Sequence, residues 1–558
     1  MHQLPSYTAG LSGRLWQPGI LLLALLLSVP VLTIAGFLFA PSSENWQHIK
    51  DTVLAGYLGN SALLATGVAI GTLFIGVSTA WLTAMCRFPG KKLLTWMLLL
   101  PLAMPAYIIA YTYTGMFDFA GPVQTWMRDL TGWGYGDYYF PEVRSLGGAI
   151  IMLSLVLYPY VYLLARATFL EQSICVLEVS RTLGCGAWCS FFRVALPLAR
   201  PAIIAGLSLA LMETLADYGT VSYFGVGVFT TGIFRTWFGL GDSVAAAKLA
   251  SLLLLFVFVL VVMERISRRQ ARYHHTSNKY SVLPEYQLAS FKATLAFLAC
   301  SVPVILGFFL PAAQLTSWAL QTWEEMIDAS FVTLTLNTLL LGLSASLLAV
   351  ILALFLAYGK RMLATRKVNI AIRIAALGYA VPGAVIAIGI IIPFAWLDNS
   401  IDGFLREYFN FSTGLLLSGT LFTLLFAYIV RFLAVSLQTV ESGLGKIKPS
   451  MDDAARSLGY RPRETLFKVH LPLMKASVLT ALLIVFVDVM KELPATLILR
   501  PFNFNTLAVR AFELASDERL ADSSTAALMI VAAGILPVLY LSNSISQLRV
   551  GRLHAAKT

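Results

Sequence analysis

Between Gln17 and Leu541 the sequence returns twelve times to runs of about 20 mostly apolar residues. A helix of that length crosses a hydrocarbon core about 30 Å thick. Inside lipid no water is present to satisfy a backbone N–H or C=O, so a spanning segment must be a helix or part of a closed barrel. The period-two alternation of barrel strands is missing. The expected fold is therefore an all-α polytopic membrane protein with about 12 spans. The runs are Gln17–Ala40, Asn60–Ala84, Leu93–Phe117, Leu146–Ala165, Pro201–Phe224 and Ala245–Met263, then Ala293–Leu310, Phe331–Tyr358, Ile374–Trp396, Leu415–Val435, Ser477–Leu499 and Ser524–Leu541. The first run lacks a small-residue cleavage site and is too long for a signal-peptide core, so it reads as a span.

Only 12% of the 558 residues are charged and 58% are hydrophobic. A soluble chain carries about twice that charged share. The net charge of +11 would suit nucleic acid as a partner, but the basic residues sit in alternate loops, and no nucleic acid is expected. One set of loops holds Arg87, Lys91 and Lys92, then Arg166, Arg181 and Arg193, then Arg265 to Lys279, then Lys360 to Lys367. The other set carries Asp118, Asp129 and Glu142, or Glu324, Glu325 and Asp328, or Asp398, Asp402 and Glu407. Lysine and arginine accumulate on the cytoplasmic side. Both termini are thus expected in the cytoplasm of a bacterial cell, with the chain multi-pass in its inner membrane and the lipid bilayer as its surroundings. Cys185 and Cys189 lie four apart without a second pair to complete a metal site, so they read as reduced thiols.

The chain also repeats itself. "EVSRTLGCGAWCSFFRVALPLARP" (Glu178–Pro201) matches "DAARSLGYRPRETLFKVHLPLMKA" (Asp453–Ala476), with Gly184 and Gly459, Phe192 and Phe467, and Pro197 and Pro472 each 275 positions apart. Downstream, Glu213 meets Asp488, Asp217 meets Glu492 and Arg235 meets Arg510 at the same spacing. Upstream, Asn60 meets Asn337 and Pro105 meets Pro382 at a spacing of 277. Six spans per copy give both copies the same orientation, a parallel pseudo-two-fold repeat. The expected division is a first half at 1–264 with its repeated loop at 174–200, a basic cytoplasmic linker at 265–290, and a second half at 291–558 with its loop at 446–475.

Each repeated loop opens on an acid (Glu178, Asp453) followed one turn later by Arg181 or Arg456. Gly184 or Gly459 then permits a sharp turn. An amphipathic stretch follows, closed by Leu196-Pro197 or Leu471-Pro472. Two short helices joined at glycine form a compact knob suited to a partner's groove, and a linker resting on the headgroups would need no fixed register. The glycine and Leu-Pro spacing resembles the signature of permease subunits of binding-protein-dependent ABC importers. The first copy departs from the two alanines of that signature and the second from its glutamate. The resemblance covers nearly the whole chain. It implies a type I importer permease fold with two permease halves fused in one chain. It further implies that each knob grips one of two copies of a cytosolic ABC ATPase, and that a periplasmic substrate-binding protein delivers the solute. Glu178, Arg181, Gly184, Leu196, Pro197, Asp453, Arg456, Gly459, Leu471 and Pro472 are the expected ATPase-coupling residues. "GLGKIK" at Gly443–Lys448 is the nearest string to a phosphate-binding loop and lacks the required glycine spacing and Ser/Thr. The chain is thus expected to be no enzyme and to bind no cofactor, with ATP and Mg held by the partner ATPase.

The expected solute path follows from four acids. Glu213 with Asp217, and Asp488 with Glu492, are spaced i, i+4 and would share a helix face. Glu213 would lie about 18 Å along its helix from Pro201. Ionisable groups at such depth usually face a protein interior or a watery path. With the phenols of Tyr111 and Tyr113 they would suit a hard cation in transit, with no metal stably bound. The bracing alternative is an ion pair from Lys491 to Glu492. "PAYIIAYTYTGMFDFAGPVQ" (Pro105–Gln124) and "METLADYGTVSYFGVGVFTTGIFRTWFG" (Met212–Gly239) resemble the ferric-iron importer branch. Related branches move thiamine, polyamines or aminoethylphosphonate. A twelve-span secondary transporter is the rival from another class, although its signature loop falls between spans two and three. Pro105, Pro382, Pro393 and Pro494 are expected to bend their spans.

Overall fold

The computed structural model describes residues 11–134, 136–171, 184, 186–269, 285–363 and 365–555. Among them the chain is helical almost throughout. Its strands are a parallel pair of two-residue segments, Cys86–Arg87 beside Tyr286–Gln287. Among the described residues ten helices are long and apolar enough to cross a bilayer, and the number reaches 12 if each of two bent helix pairs is one span. Exposed Leu22, Leu25, Leu63, Phe74 and Leu340 clothe these helices in apolar surface, as a protein immersed in lipid requires.

The expected bend is present at Pro105, and there as at Pro382 the proline opens a new helix and does not kink one. Each stands immediately before a helix, Ala106–Phe117 and Gly383–Phe409, after a short 3-10 turn. The pyrrolidine ring pushes the preceding residue out of the helical region. Met104 (ψ 111°) and Val381 (ψ 127°) are accordingly extended. The third span is thus two helices, Lys91–Ala103 and Ala106–Thr131, at 92° to each other. Pro494 starts the short helix Pro494–Leu499, and Pro393 alone of the four lies inside a helix.

The chain forms two compact units that draw on both sequence halves. One comprises Met1–His48, Ile233–Leu254 and Asp328–Val509. Its core is helix Ala329–Leu363 packed on Leu421–Gly445 and Lys475–Met490. Against this core lies the first helix of the chain, Leu11–Phe37, packed on Arg366–Ala375 and Gly383–Phe409. The approach is so close that a Cβ on Gly389 would collide with the Pro30 carbonyl. Ser251 Oγ donates to the Ile34 carbonyl at 2.5 Å, fixing the early part of Ser243–Arg269 to the same helix.

The other unit comprises Ile49–Gly232, Leu255–Ile327 and Arg510–Thr558. Helices Leu54–Met85 and Leu146–Glu171 run together along their length. Gly67 and Gly71 let them touch, since a Cβ at either would strike Ile150 or Ser154. Lipid supplies no hydrophobic force between helices, so close packing of small residues carries the association. Residues Phe291–Met326 lie against Leu520–Ala555 and Ala106–Phe117. Tyr113 Oη donates to the Leu306 carbonyl at 2.7 Å, and Thr322 Oγ1 to the Ala521 carbonyl at 3.3 Å. The outer helices of each sequence half have therefore joined the unit built on the other half's core.

Candidate functional site

The second repeated loop begins with helix Pro449–Ser457, in which Asp453 and Arg456 form an exposed ion pair at 3.1 Å. The helix ends on Gly459, whose φ of 80° lies in the left-handed region. There the Gly459 amide donates to Arg456 O and the Tyr460 amide to Ala455 O, both at 3.0 Å, closing the last turn. The next helix opens on a one-sided cap, in which Glu464 Oε2 accepts from the Arg461 amide at 2.8 Å. The knob of two short helices hinged at glycine is thus present, and Leu458 and Phe467 stand exposed on it.

In the first loop Gly184 repeats the hinge with φ 82°. Glu178 and Arg181 lie outside the described residues. Trp188 and Phe192 stack at 6.1 Å and are exposed, while Phe191 is buried 4.9 Å from Trp81. Cys189 is in a disulfide, against its reading as a reduced thiol. The Leu-Pro elements then differ. Leu196-Pro197 opens a helix that continues unbroken to Ala216. Leu471-Pro472 lies in a short turn that stops at Met474, and the pair Pro462–Leu473 and Lys475–Met490 meet at 79°.

The four acids do not share helix faces as their spacing suggests. Helix Leu196–Ala216 carries Glu213 in its last turn and stops before Asp217, whose backbone is extended with ψ 132°. Asp217 Oδ2 accepts from the amides of Thr220 and Val221, both at 3.1 Å, and Oδ1 from Thr220 Oγ1 at 2.9 Å. The carboxylate caps the next short helix, Gly219–Tyr223, and this is why the chain leaves the first one. Glu492 does the same in the other unit. Helix Lys475–Met490 has already ended, and Glu492 Oε1 accepts from the Ala495 amide at 3.1 Å at the start of Pro494–Leu499.

The second pair is moreover charge-compensated. Lys491 Nζ meets Asp488 Oδ1 at 2.8 Å, where the sequence suggested Glu492 as its partner. Glu492 Oε2 is paired instead with Arg431 Nε at 3.3 Å, both side chains being less than a tenth exposed. Arg431, from helix Leu421–Gly445, is a residue the sequence reading passed over. A lone arginine in "AYIVRFLAV" was signal enough, since a charge in an apolar run demands a partner. Tyr113 is tied to Leu306, and buried Tyr111 lies edge-on to Tyr223 at 6.3 Å. Among the described residues no group of three or more His, Cys, Asp or Glu side chains is placed to hold a metal ion.

Residues 72–272 and 349–552, one block in each sequence half, match the family described as binding-protein-dependent transport system inner membrane component. The chain belongs to that family. As a binding-protein-dependent transport component it is a multi-pass inner-membrane permease of ABC type, a transporter subunit in place of an enzyme, and the secondary-transporter alternative falls away. The chain is 26% identical to the Fe(3+)-transport system permease protein FbpB 2 of Haemophilus influenzae, over 88% of this chain and 90% of that one. It is 23% identical to the putative ferric transport system permease protein FbpB 1 of the same organism, over 86% and 76%. It is 27% identical to the putative 2-aminoethylphosphonate transport system permease protein PhnV of Salmonella typhimurium, over 44% and 92%. The family match falling once in each half agrees with two permease halves fused in one chain.

Proposed function

We propose that this permease carries ferric iron from a periplasmic binding protein into the cytoplasm, driven by two copies of a cytosolic ABC ATPase. The observation that carries the reading of the solute is likeness over 90% and 76% of the length of two permeases named for ferric transport. The aminoethylphosphonate relative is matched by less than half of this chain.

Both knobs and both termini face the cytoplasm in this reading, following the bias of basic loops. Each ATPase seats one knob, with Leu458 and Phe467, or Trp188 and Phe192, entering its cleft. ATP binding closes the two ATPases on each other and the knobs transmit that motion, opening the path outward. The cleft of about 620 Å³ lined by Asp118, Tyr138, Glu142 and Arg144 then faces the loaded binding protein. Along the path the acids are unequal. Asp488 and Glu492 are matched by Lys491 and Arg431, which reduces their attraction for a cation in transit.

Uptake of radiolabelled Fe³⁺ in cells expressing the permease, its ATPase and its binding protein tests the assignment. Iron accumulation that requires the ATPase is the expected result. Accumulation of aminoethylphosphonate, thiamine or a polyamine without iron would overturn the choice of solute. Asp217→Asn should slow iron uptake while leaving ATPase co-purification intact, and a wild-type rate would return Asp217 to helix capping alone.

A further inference from the structure

Among the described residues the two knobs are rooted in different ways. Beneath the second, Arg361 at the end of helix Ala329–Leu363 reaches Asp452 Oδ2 through Nε at 2.9 Å and Nη2 at 2.6 Å. The same guanidinium donates to the carbonyls of Leu444 at 2.7 Å and Ile447 at 3.0 Å. Asp452 Oδ1 lies 2.6 Å from Nε2 of His470, a fully buried side chain on the far side of the glycine hinge. Tyr358 packs edge-on to His470 at 5.5 Å and donates its hydroxyl to the Pro462 carbonyl at 2.8 Å. Asp452 thus joins both arms of the knob to one membrane helix.

The repeat replaces nearly all of this in the first half. Ala84 stands at the register of Arg361, Leu177 at that of Asp452, Ala195 at that of His470 and Trp81 at that of Tyr358. Trp81 is surrounded by rings, 5.5 Å from Phe169, 4.9 Å from Phe191 and 6.3 Å from Tyr286. A stack of rings slides and re-packs with less directional penalty than the two charge-assisted bonds that converge from Arg361 on Asp452 Oδ2.

We infer that Asp452, clamped between Arg361 and His470, is a positioning residue that makes the second knob a rigid lever on helix Ala329–Leu363, while the first knob is seated compliantly on aromatic rings. The inference rests on the importer reading, because a lever needs an ATPase to move it. The second ATPase's stroke then reaches the membrane helices with little loss, and removal of the clamp uncouples hydrolysis from transport without detaching the ATPase.

The test uses the full transporter in proteoliposomes with its ATPase and iron-loaded binding protein. ATP hydrolysed per Fe³⁺ imported is measured for Asp452→Asn and for His470→Leu, the latter keeping the buried space filled. Both variants should co-purify ATPase at the wild-type level and raise the ratio about fivefold or more, the lower end of inter-site couplings. Asp452→Glu, which keeps the charge, should recover most of the loss, as a merely space-filling role would not require. An unchanged ratio in His470→Leu and Asp452→Asn, or equal impairment in Asp452→Glu and Asp452→Asn, would overturn the clamp while leaving the importer reading standing. Failure of the wild-type chain to recruit any ATPase would overturn both.

Discussion

Glu492→Gln isolates one deeply buried ion pair. The change keeps size and shape but removes the charge that faces Arg431 Nε at 3.3 Å, in surroundings where both side chains are under a tenth exposed. Two unit charges at that separation attract by about 5 kcal/mol at an effective dielectric of about 20. Much of that attraction offsets the desolvation of the ions, yet removing one partner strands the other, at a cost of about 3–5 kcal/mol. Glutamine still accepts from the Ala495 amide, so the helix cap survives and the loss is that of the pair. The measurement is unfolding of the purified permease in mixed micelles titrated with a denaturing detergent. Glu492→Gln and Arg431→Met should each destabilise strongly. The double variant, with no stranded ion, should recover enough to give a coupling of about 2 kcal/mol, within the range known for contacting residues. Asp217→Asn, which weakens a cap without stranding a cation, should cost only about 1 kcal/mol. Additive effects of the Glu492 and Arg431 changes, within about 0.5 kcal/mol, would refute the argument from a stranded charge.

Other expectations follow from the same geometry. Gly459→Ala should cost about 1–2 kcal/mol by backbone strain alone, because a Cβ there meets nothing within 4 Å, and Gly459→Pro or Gly184→Pro should abolish ATPase co-purification because proline cannot adopt their positive φ. Phe467→Ala should weaken ATPase binding with no change in unfolding, since the ring is exposed on the knob; equal binding to wild type would remove it from the interface. Burial by itself would raise the Asp242 carboxyl, but hydrogen bonds from the Ala245 and Val244 amides and from Ser43 and Asn45 more than offset this and leave it below the ordinary value. A depressed folded pKa stabilises above the unfolded value of about 3.9 and loses that contribution as pH falls through the folded pKa. The stability gap between wild type and Asp242→Asn should therefore be constant near neutrality and close on acidification below about pH 4, and a gap that closed near pH 7 would contradict the assignment.

Much of this architecture could be read from one sequence because lipid leaves the backbone so little choice. Apolar length gave the spans, and the 275-residue register gave the second hinged knob and the glycine of the first, with Gly184 and Gly459 at matching positive φ. What escaped the reading turned on hydrogen-bond partners that periodicity does not encode. An i, i+4 spacing presumes an unbroken helix, yet Asp217 and Glu492 each end one helix by capping the next. Prolines were legible as interruptions, but whether a proline kinks a helix or starts a new one depends on what satisfies the carbonyls before it. His470 stands where the other half has Ala195. The missing counterpart was the clue, since a repeat that has lost its symmetry at one buried polar position has acquired a partner there, here Asp452.

The first helix, Leu11–Phe37, leaves the ribosome long before the residues it packs on, Arg366–Ala375 and Gly383–Phe409. At synthesis rates of about 5–20 residues per second, roughly 15–70 s separate the two events. Throughout that interval the helix needs no protein neighbour, because its backbone bonds are internal and Leu22, Leu25 and Leu32 are at home among acyl chains. The membrane thus stores an early-made segment for a late-made partner, and a chain cut at the linker should reassemble only when both pieces are translated into the same bilayer.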